Sequence, residues 1–365
     1  MSLPVIHLVV AARPNLPKIA ALWHALAEAP PICRPLILHT GQHHDAAMFG
    51  QHLADLDLPA PHIALGVAAG AGHAALTGQT MMAAEAVWRR DPPALVVVAG
   101  DVDGTLAAAL AARKLGLHVA HLEAGLRSGD RLMPEEVNRC AVDAVSDILW
   151  APDRATAQRL VDAGHPRGAV RAVGNAMVDS IFRARQRALA QPLPAGLMLG
   201  GYGLVTLHRP SNVDDPAVLA ALLAALGDAA RHIPLVWPVH PRTAQRLGDT
   251  PLPPGVMRLP PQGYLAFAGL LAQARFTATD SGGVQEEATA LGIPCLTLRD
   301  TTERPVTLEA GGNRLVTPAG LAAAVAALLA TPANPPQKIP LWDGRAGARM
   351  VAHLREVLGS MAMAA

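Results

Sequence analysis

Asp280-Ser-Gly-Gly-Val-Gln-Glu-Glu-Ala-Thr-Ala-Leu-Gly-Ile-Pro-Cys295 is the stretch whose reading decides the fold. The residues before it, Ala274-Arg-Phe-Thr-Ala-Thr279, have the character of a short strand. Strand, glycine turn and helix start therefore follow one another, with Gly292 and Pro294 placed to end the helix. Ser or Asp before a helix caps its free N–H groups, and acidic residues suit its positive end. Glycines at that position also let backbone N–H groups approach an anion, and a glutamate one turn further on can accept hydrogen bonds from a diol.

Working outward, short apolar strands alternate with Ala/Leu-rich helical segments along the whole chain. Strands are expected at Val5–Val10, Pro35–His39, Ala94–Ala99, His118–His121, Ile148–Ala151, Gly203–Leu207, Leu235–Val239, Phe276–Thr279 and Cys295–Leu298. Helices are expected at Pro17–Ala29, Thr105–Leu115, Ala217–Arg231, Leu321–Ala330 and toward the C-terminus. Continuously apolar strands with intervening helices imply parallel sheets covered on both faces. The fold class is thus α/β, with two Rossmann-like doubly wound domains expected to face each other across a cleft. A composition shift near residues 185–202 marks the change from one half to the other.

The chain has 365 residues, half of them hydrophobic, and a formal net charge of +1. That balance offers no basic field for nucleic acid, and only 3% of residues are aromatic, which leaves few stacking platforms. The longest apolar run, Ala94 to Ala112, is broken by Asp101, Asp103 and Gly104, so no membrane span is expected. Cys33, Cys140 and Cys295 are odd in number and lack metal-ligand spacing, which implies a reduced, cytoplasmic protein without a metal site.

Polar clusters follow the strands: Ala11-Ala-Arg-Pro-Asn15, Gly100-Asp-Val-Asp-Gly-Thr105, His121-Leu-Glu-Ala-Gly-Leu-Arg127 and then Met133-Pro-Glu-Glu-Val-Asn-Arg139. The second half carries Thr206-Leu-His-Arg-Pro-Ser-Asn212, Pro238-Val-His-Pro-Arg242, the opening stretch and Thr302-Glu-Arg-Pro305. One such cluster is ordinary helix capping. Several at the same end of the strands mark the rim where open α/β sheets hold ligands. The first half is rich in carboxylates and the second in groups suited to phosphate, so acid/base chemistry is expected from one and an anionic leaving group at the other.

In this order, with Thr40-Gly-Gln-His43 and Val173-Gly-Asn175 plus Asp179, the motifs resemble those of the non-hydrolysing UDP-N-acetylglucosamine 2-epimerases, which have the GT-B fold. The resemblance covers nearly the whole chain. It implies an amino-terminal domain at 1–174, a UDP-binding domain at 175–345, and a last helix, about 346–365, that packs back on the first domain. It implies that Ser281, Gly282 and Gly283 contact the diphosphate and Glu287 the ribose hydroxyls, with Arg13, Arg139, Arg209, His240 and Arg304 as further substrate-binding candidates. His240 reads equally well as a structural residue. Asp101 and Glu135 are the candidates to flank the sugar C2, Glu123 is a third acid/base or orienting group, and His208 is the candidate partner of the leaving phosphate. The implied reaction is C2 epimerisation of UDP-N-acetylglucosamine through a 2-acetamidoglucal, with neither nicotinamide nor metal as cofactor.

The resemblance further implies a homodimer, and a second UDP-sugar bound as activator near Gln42 and His43. Departures from the family pattern fall near the presumed sugar: Ala11-Ala12 replaces Gly-Thr, Asn15 replaces a glutamate, Val102-Asp103 replaces hydroxyl residues, and Pro210-Ser211 and Val306 are unusual. A related UDP-2,3-diacetamido-uronic acid is therefore an alternative substrate, and a GT-B glycosyltransferase is an alternative class.

Overall fold

The computed structural model describes residues 3–41, 46–68, 70, 72–330 and 337–364. The chain divides into two compact units, Met1–Arg183 together with Pro340–Ala365, and Ala184–Ile339.

The amino-terminal unit holds strands β1 (Val5–Val10), β2 (Arg34–His39), β3 (Ile63–Ala64), β4 (Leu95–Ala99), β5 (His118–Leu122), β6 (Ile148–Ala151) and β7 (Val170–Ala172). Its helices are α1 (Asn15–Glu28), α2 (Ala46–Asp55), α3 (His73–Arg90), α4 (Asp103–Lys114), α5 (Pro134–Val145), α6 (Arg154–Asp162) and the first part of α7 (Ala176–Leu189). The carboxyl-terminal unit holds β8 (Gly203–Thr206), β9 (Leu235–Pro238), β10 (Val256–Leu259), β11 (Phe276–Thr279), β12 (Cys295–Thr297) and β13 (Asn313–Leu315). Its helices are α8 (Pro210–Val213), α9 (Pro216–Ala230), α10 (Pro241–Leu247), α11 (Tyr264–Gln273), α12 (Gly282–Leu291), α13 (Pro305–Glu309) and α14 (Leu321–Ala330). The last helix, α15 (Ala346–Ala364), belongs to the first unit.

Both sheets are parallel throughout, as the sequence implies. Their strand orders are β3-β2-β1-β4-β5-β6-β7 and β10-β9-β8-β11-β12-β13. In each sheet the order reverses once, between β1 and β4 and between β8 and β11. Loops leaving those neighbouring strands diverge and open a crevice at their carboxyl ends. All five residues of β4, Leu-Val-Val-Val-Ala, are buried, as a strand covered on both faces must be. On one face of the second sheet Leu222 and Leu226 of α9 pack with Trp237, Phe276 and Val205. On the other face Leu270 and Leu271 of α11 and Val284 and Ala288 of α12 pack with Leu204 and Val236.

The four strands that the sequence reading omits, β3, β7, β10 and β13, are the edges of the two sheets. The division between units falls inside α7, between Arg183 and Ala184. α15 packs on α1 closely enough that a Cβ on Gly347 would lie 2.3 Å from the Ala21 carbonyl oxygen. The first N–H groups of α15, from Ala346 and Gly347, donate to the Asp179 carboxylate on α7 at 3.0 and 2.8 Å. Asp179 thus caps a helix remote in sequence. Replacing Asp179 with Ala is expected to destabilise the amino-terminal unit by about 1–2 kcal/mol, read as a lower urea midpoint with an unchanged slope.

Candidate active site

In the amino-terminal unit polar side chains join the loops after β1, β4 and β5. Asn15, at the head of α1, accepts from the N–H groups of Ala11 and Ala12 at 3.0 and 2.7 Å and donates to the Ala99 carbonyl at 2.8 Å. It therefore ties the ends of β1 and β4 together at the point where strand order reverses. Lys18, one turn further along α1, forms an ion pair with Glu123, and both side chains are nine-tenths buried. Glu123 has φ +76°, a left-handed conformation that costs a non-glycine residue roughly 1–3 kcal/mol. Its N–H donates to the Trp150 carbonyl at 3.1 Å, which helps to hold the turn.

Asp101 follows β4 and is partly exposed, and its carboxylate is ion-paired with Arg139 of α5. Arg139 also donates to Glu136 at 2.9 and 2.6 Å. Glu136 accepts in turn from the N–H groups of Ser128 and Gly129 at 2.9 and 3.0 Å. Burial alone would raise the Glu136 pKa, but these bonds and the Arg139 charge hold it below the usual carboxylate range. The neighbouring Glu135 differs: it is half-buried and has no hydrogen-bond or ion-pair partner among the described residues. Adjacent glutamates on one helix turn thus have separate tasks, one locked in a bridge and one available. Arg13, also half-buried, has no acceptor among the described residues.

A second network lies beneath. The His121 ring is fully buried between the Asp143 carboxylate, at 2.7 Å from Nδ1, and the Gly100 carbonyl, at 2.9 Å from Nε2. Asp143 also takes Arg127 at 2.7 Å and the Gly125 N–H at 3.1 Å. Burial pushes its pKa up, but His121 and Arg127 outweigh that and hold it low. His121 therefore fixes the residue immediately before Asp101.

In the carboxyl-terminal unit, Ser281 stands at the N-cap of α12 in extended conformation, without a capping bond from its side chain. The first intrahelical bond runs from Gln285 N–H to Ser281 O, so the N–H groups of Gly282 and Gly283 lie in the turn that has no helical acceptors. Gly282 is needed for a second reason: a Cβ there would lie 2.5 Å from Nη1 of Arg304. Arg304 is buried, with Glu286 at 3.0 Å and Glu303 at 2.7 Å. Glu303 also takes Arg209 at 3.2 Å and Arg299 at 2.7 Å. Burial would raise its pKa, but the three arginines hold it far below the carboxylate range. The structure thus places Arg304 in the packing under the glycine turn.

Asp280 is fully buried beside His208 and Arg209. His208 is partly exposed, and its ring lies 5.3 Å from that of His240. His240 caps α10, its Nδ1 accepting from the Arg242 N–H at 3.2 Å. Glu287 is buried, accepts from the Tyr264 hydroxyl at 3.1 Å, and is pushed up to about 8 by burial.

Gln42 and His43 lie outside the described residues. Among the described residues no cluster of three His, Cys, Asp or Glu could hold a metal ion, and no helix is long and apolar enough to cross a membrane. Lys18, Asp143 and Asp280 are absent from the set of sequence candidates. The sequence offers a signal only for Asp280, which adjoins the glycine turn.

The family model described as UDP-N-acetylglucosamine 2-epimerase matches residues 25–355. A Pseudomonas aeruginosa protein named UDP-2,3-diacetamido-2,3-dideoxy-D-glucuronate 2-epimerase is 40% identical over 312 residues, 84% of this chain and 87% of that one. The Methanocaldococcus jannaschii UDP-N-acetylglucosamine 2-epimerase is 35% identical over 359 residues, 94% and 97% of the two chains. A crystal structure of the Methanocaldococcus jannaschii UDP-GlcNAc 2-epimerase in complex with UDP-GlcNAc and UDP superposes with a TM-score of 0.86 at 34% identity, covering 96% of this chain and 99% of that one.

Substituting Glu303 with Gln is expected to cost about 3–5 kcal/mol at neutral pH, because three arginines lose their shared counter-charge. The Glu303 pKa is lower in the folded chain than its unfolded value of about 4.3. Its contribution is therefore complete above that pH and is lost as pH falls toward the folded value. The stability gap between wild type and variant, measured by urea unfolding, should narrow below about pH 4.

Proposed function

The chain belongs to the UDP-N-acetylglucosamine 2-epimerase family of isomerases, and from that premise we propose that it interconverts UDP-N-acetylglucosamine and UDP-N-acetylmannosamine by eliminating UDP and adding it back. The C2 hydrogen of the hexose has no adjacent carbonyl, so direct deprotonation is too costly. In the proposed route a carboxylate takes the C2 proton while the C1–O bond breaks and its electron pair leaves with UDP. This gives a 2-acetamidoglucal. Protonation of C2 from the other face, with return of a phosphate oxygen to C1, yields the epimer. All atoms of the substrate are restored.

The observation that carries this reading is the arrangement of acids around β4, β5 and α5. Asp101 is partly exposed at the end of β4, and Asn138 of α5 donates to its carbonyl at 2.9 Å. Glu135, three residues before Asn138, has no hydrogen-bond or ion-pair partner among the described residues. Two carboxyl groups held by one helix and one strand suit removal and return of a proton on opposite faces. Glu123, fixed by Lys18, serves to orient or to act as a third acid/base group. In the carboxyl-terminal unit the Gly282 and Gly283 N–H groups and Ser281 would receive the diphosphate at the positive end of α12. Glu287 would meet the ribose hydroxyls. Arg13 and Arg209 supply planar donors for phosphate oxygens.

A second substrate reading has its own support. The relative that is 40% identical is named for a UDP-2,3-diacetamido uronate, and the departures from the family pattern lie at Ala11-Ala12, Val102-Asp103 and Pro210-Ser211.

Incubation with UDP-N-acetylglucosamine in heavy water, followed by NMR at C2, is expected to show deuterium in both epimers. Absence of label there, with label entering the 2,3-diacetamido uronate offered instead, would transfer the assignment to that sugar. Sugar transfer to an added acceptor without epimer formation would establish a glycosyltransferase. Asp101→Asn and Glu135→Gln are each expected to lower kcat by about 10²–10⁴-fold while UDP affinity, measured by calorimetry, stays near wild type.

A further inference from the structure

We propose that Asp280 is a positioning residue for His208, holding the ring so that Nδ1 always carries hydrogen and Nε2 alone exchanges a proton with the leaving phosphate. The proposal rests on the epimerase reading and extends it to a fully buried residue.

The geometry is one of donors converging on a single acceptor. The Asp280 carboxylate is fully buried. It receives the His208 N–H at 3.2 and 3.0 Å, the Arg209 N–H at 2.9 Å and the Asn212 amide nitrogen at 3.0 Å. His208 Nδ1 lies 3.0 Å from its Oδ1. An ionised carboxylate can only accept hydrogen bonds, so the nitrogen facing it must be a donor. Asp280 is kept ionised despite burial, because these hydrogen bonds and the His208 charge hold its pKa below the usual carboxylate range. Other titratable groups nearby include His240, whose ring centroid is 5.3 Å from that of His208, and Arg209, whose guanidinium is engaged by Glu303.

Chemically this assigns the two nitrogens. With Nδ1–H fixed, a protonated ring donates from Nε2 to the phosphate oxygen that gains negative charge as C1–O breaks. The buried carboxylate balances the imidazolium on its other side. A ring free to flip would present either nitrogen and would lose that alignment, as in any His whose orienting acid is removed. Asp280 also fixes the backbone of residues 208 and 209, so a purely structural role must be separated from the positioning role.

Two measurements do so. In the first, ring-¹⁵N NMR of the unliganded protein is expected to show the Nδ1–H tautomer for His208. The opposite tautomer would overturn the proposal, whatever the reaction. The second is a cycle of Asp280→Asn, His208→Gln and the double variant. Asp280→Asn is expected to lower kcat by about 10²–10⁴-fold with KM changed only several-fold, by analogy with removal of a histidine's orienting carboxylate. The double variant should be no slower than the slower single variant, because the two residues act as a unit. Losses that multiply would show that Asp280 acts only through the backbone and would overturn the proposal. Full turnover by His208→Gln would also overturn it, while deuterium entry at C2 would still test the epimerase reading separately.

Discussion

Charge pairing beneath the loops is what the rest of this structure depends on. Several candidate groups, among them Asp101, Glu123 and His208, stand on loops at the carboxyl ends of parallel strands, where no ladder of backbone bonds continues. Such a loop keeps one shape only if its polar groups find partners out of reach of water. Here the partners are a few buried charges: Asp143 with His121 and Arg127, Glu136 with Arg139, Asp280 with the backbone after β8, and Glu303 with three arginines. Removing one member of such a set strands the others at a cost of several kcal/mol. The same energetics that make these groups expensive make the loops rigid.

This division of labour explains why adjacent residues of one type behave differently. Glu135 and Glu136 share the first turn of α5, yet only Glu136 points into the bridge with Arg139. Arg304 is sequestered with Glu286 and Glu303, whereas Arg13 has no acceptor among the described residues. Pairing is graded, however: Asp101 is partly exposed and yet ion-paired with Arg139. Glu123 stands between these cases, paired with Lys18 and held in a left-handed turn. Strain of that kind persists only where the surroundings over-determine the backbone.

Most of the fold was legible in the sequence because strands covered on both faces of a parallel sheet are continuously apolar. Val5–Val10 and Phe276–Thr279 occur with the bounds expected. The strands without a clear signal in the sequence are Ile63–Ala64, Val170–Ala172, Val256–Leu259 and Asn313–Leu315, all at sheet edges. An edge strand pairs on one side only and tolerates a charged residue such as Arg171, Arg258 or Arg314, so its apolar signal is weak. The exposed or half-buried candidates were legible from their place after a strand. Their supports were not: Lys18 reads as an ordinary helix lysine until α1 is set against β5. Asp143 lies one turn beyond the Met133–Arg139 motif on α5 and reads as an ordinary helix aspartate. Long-range pairing leaves no local trace.

The departures from the family pattern divide along the same line. Where the resemblance would place a glutamate, this chain has Asn15. Its carbonyl oxygen takes two N–H groups while its amide donates to Ala99. An ionised glutamate could accept the first two but could not make the third bond. Asn15 is buried and joins β1 to β4, so the change alters the framework at the ends of these strands. Of the other departures, Val102 is half-buried and Ser211 exposed. Neither side chain forms a hydrogen bond among the described residues, although the Val102 carbonyl accepts from the Thr105 N–H at 2.9 Å.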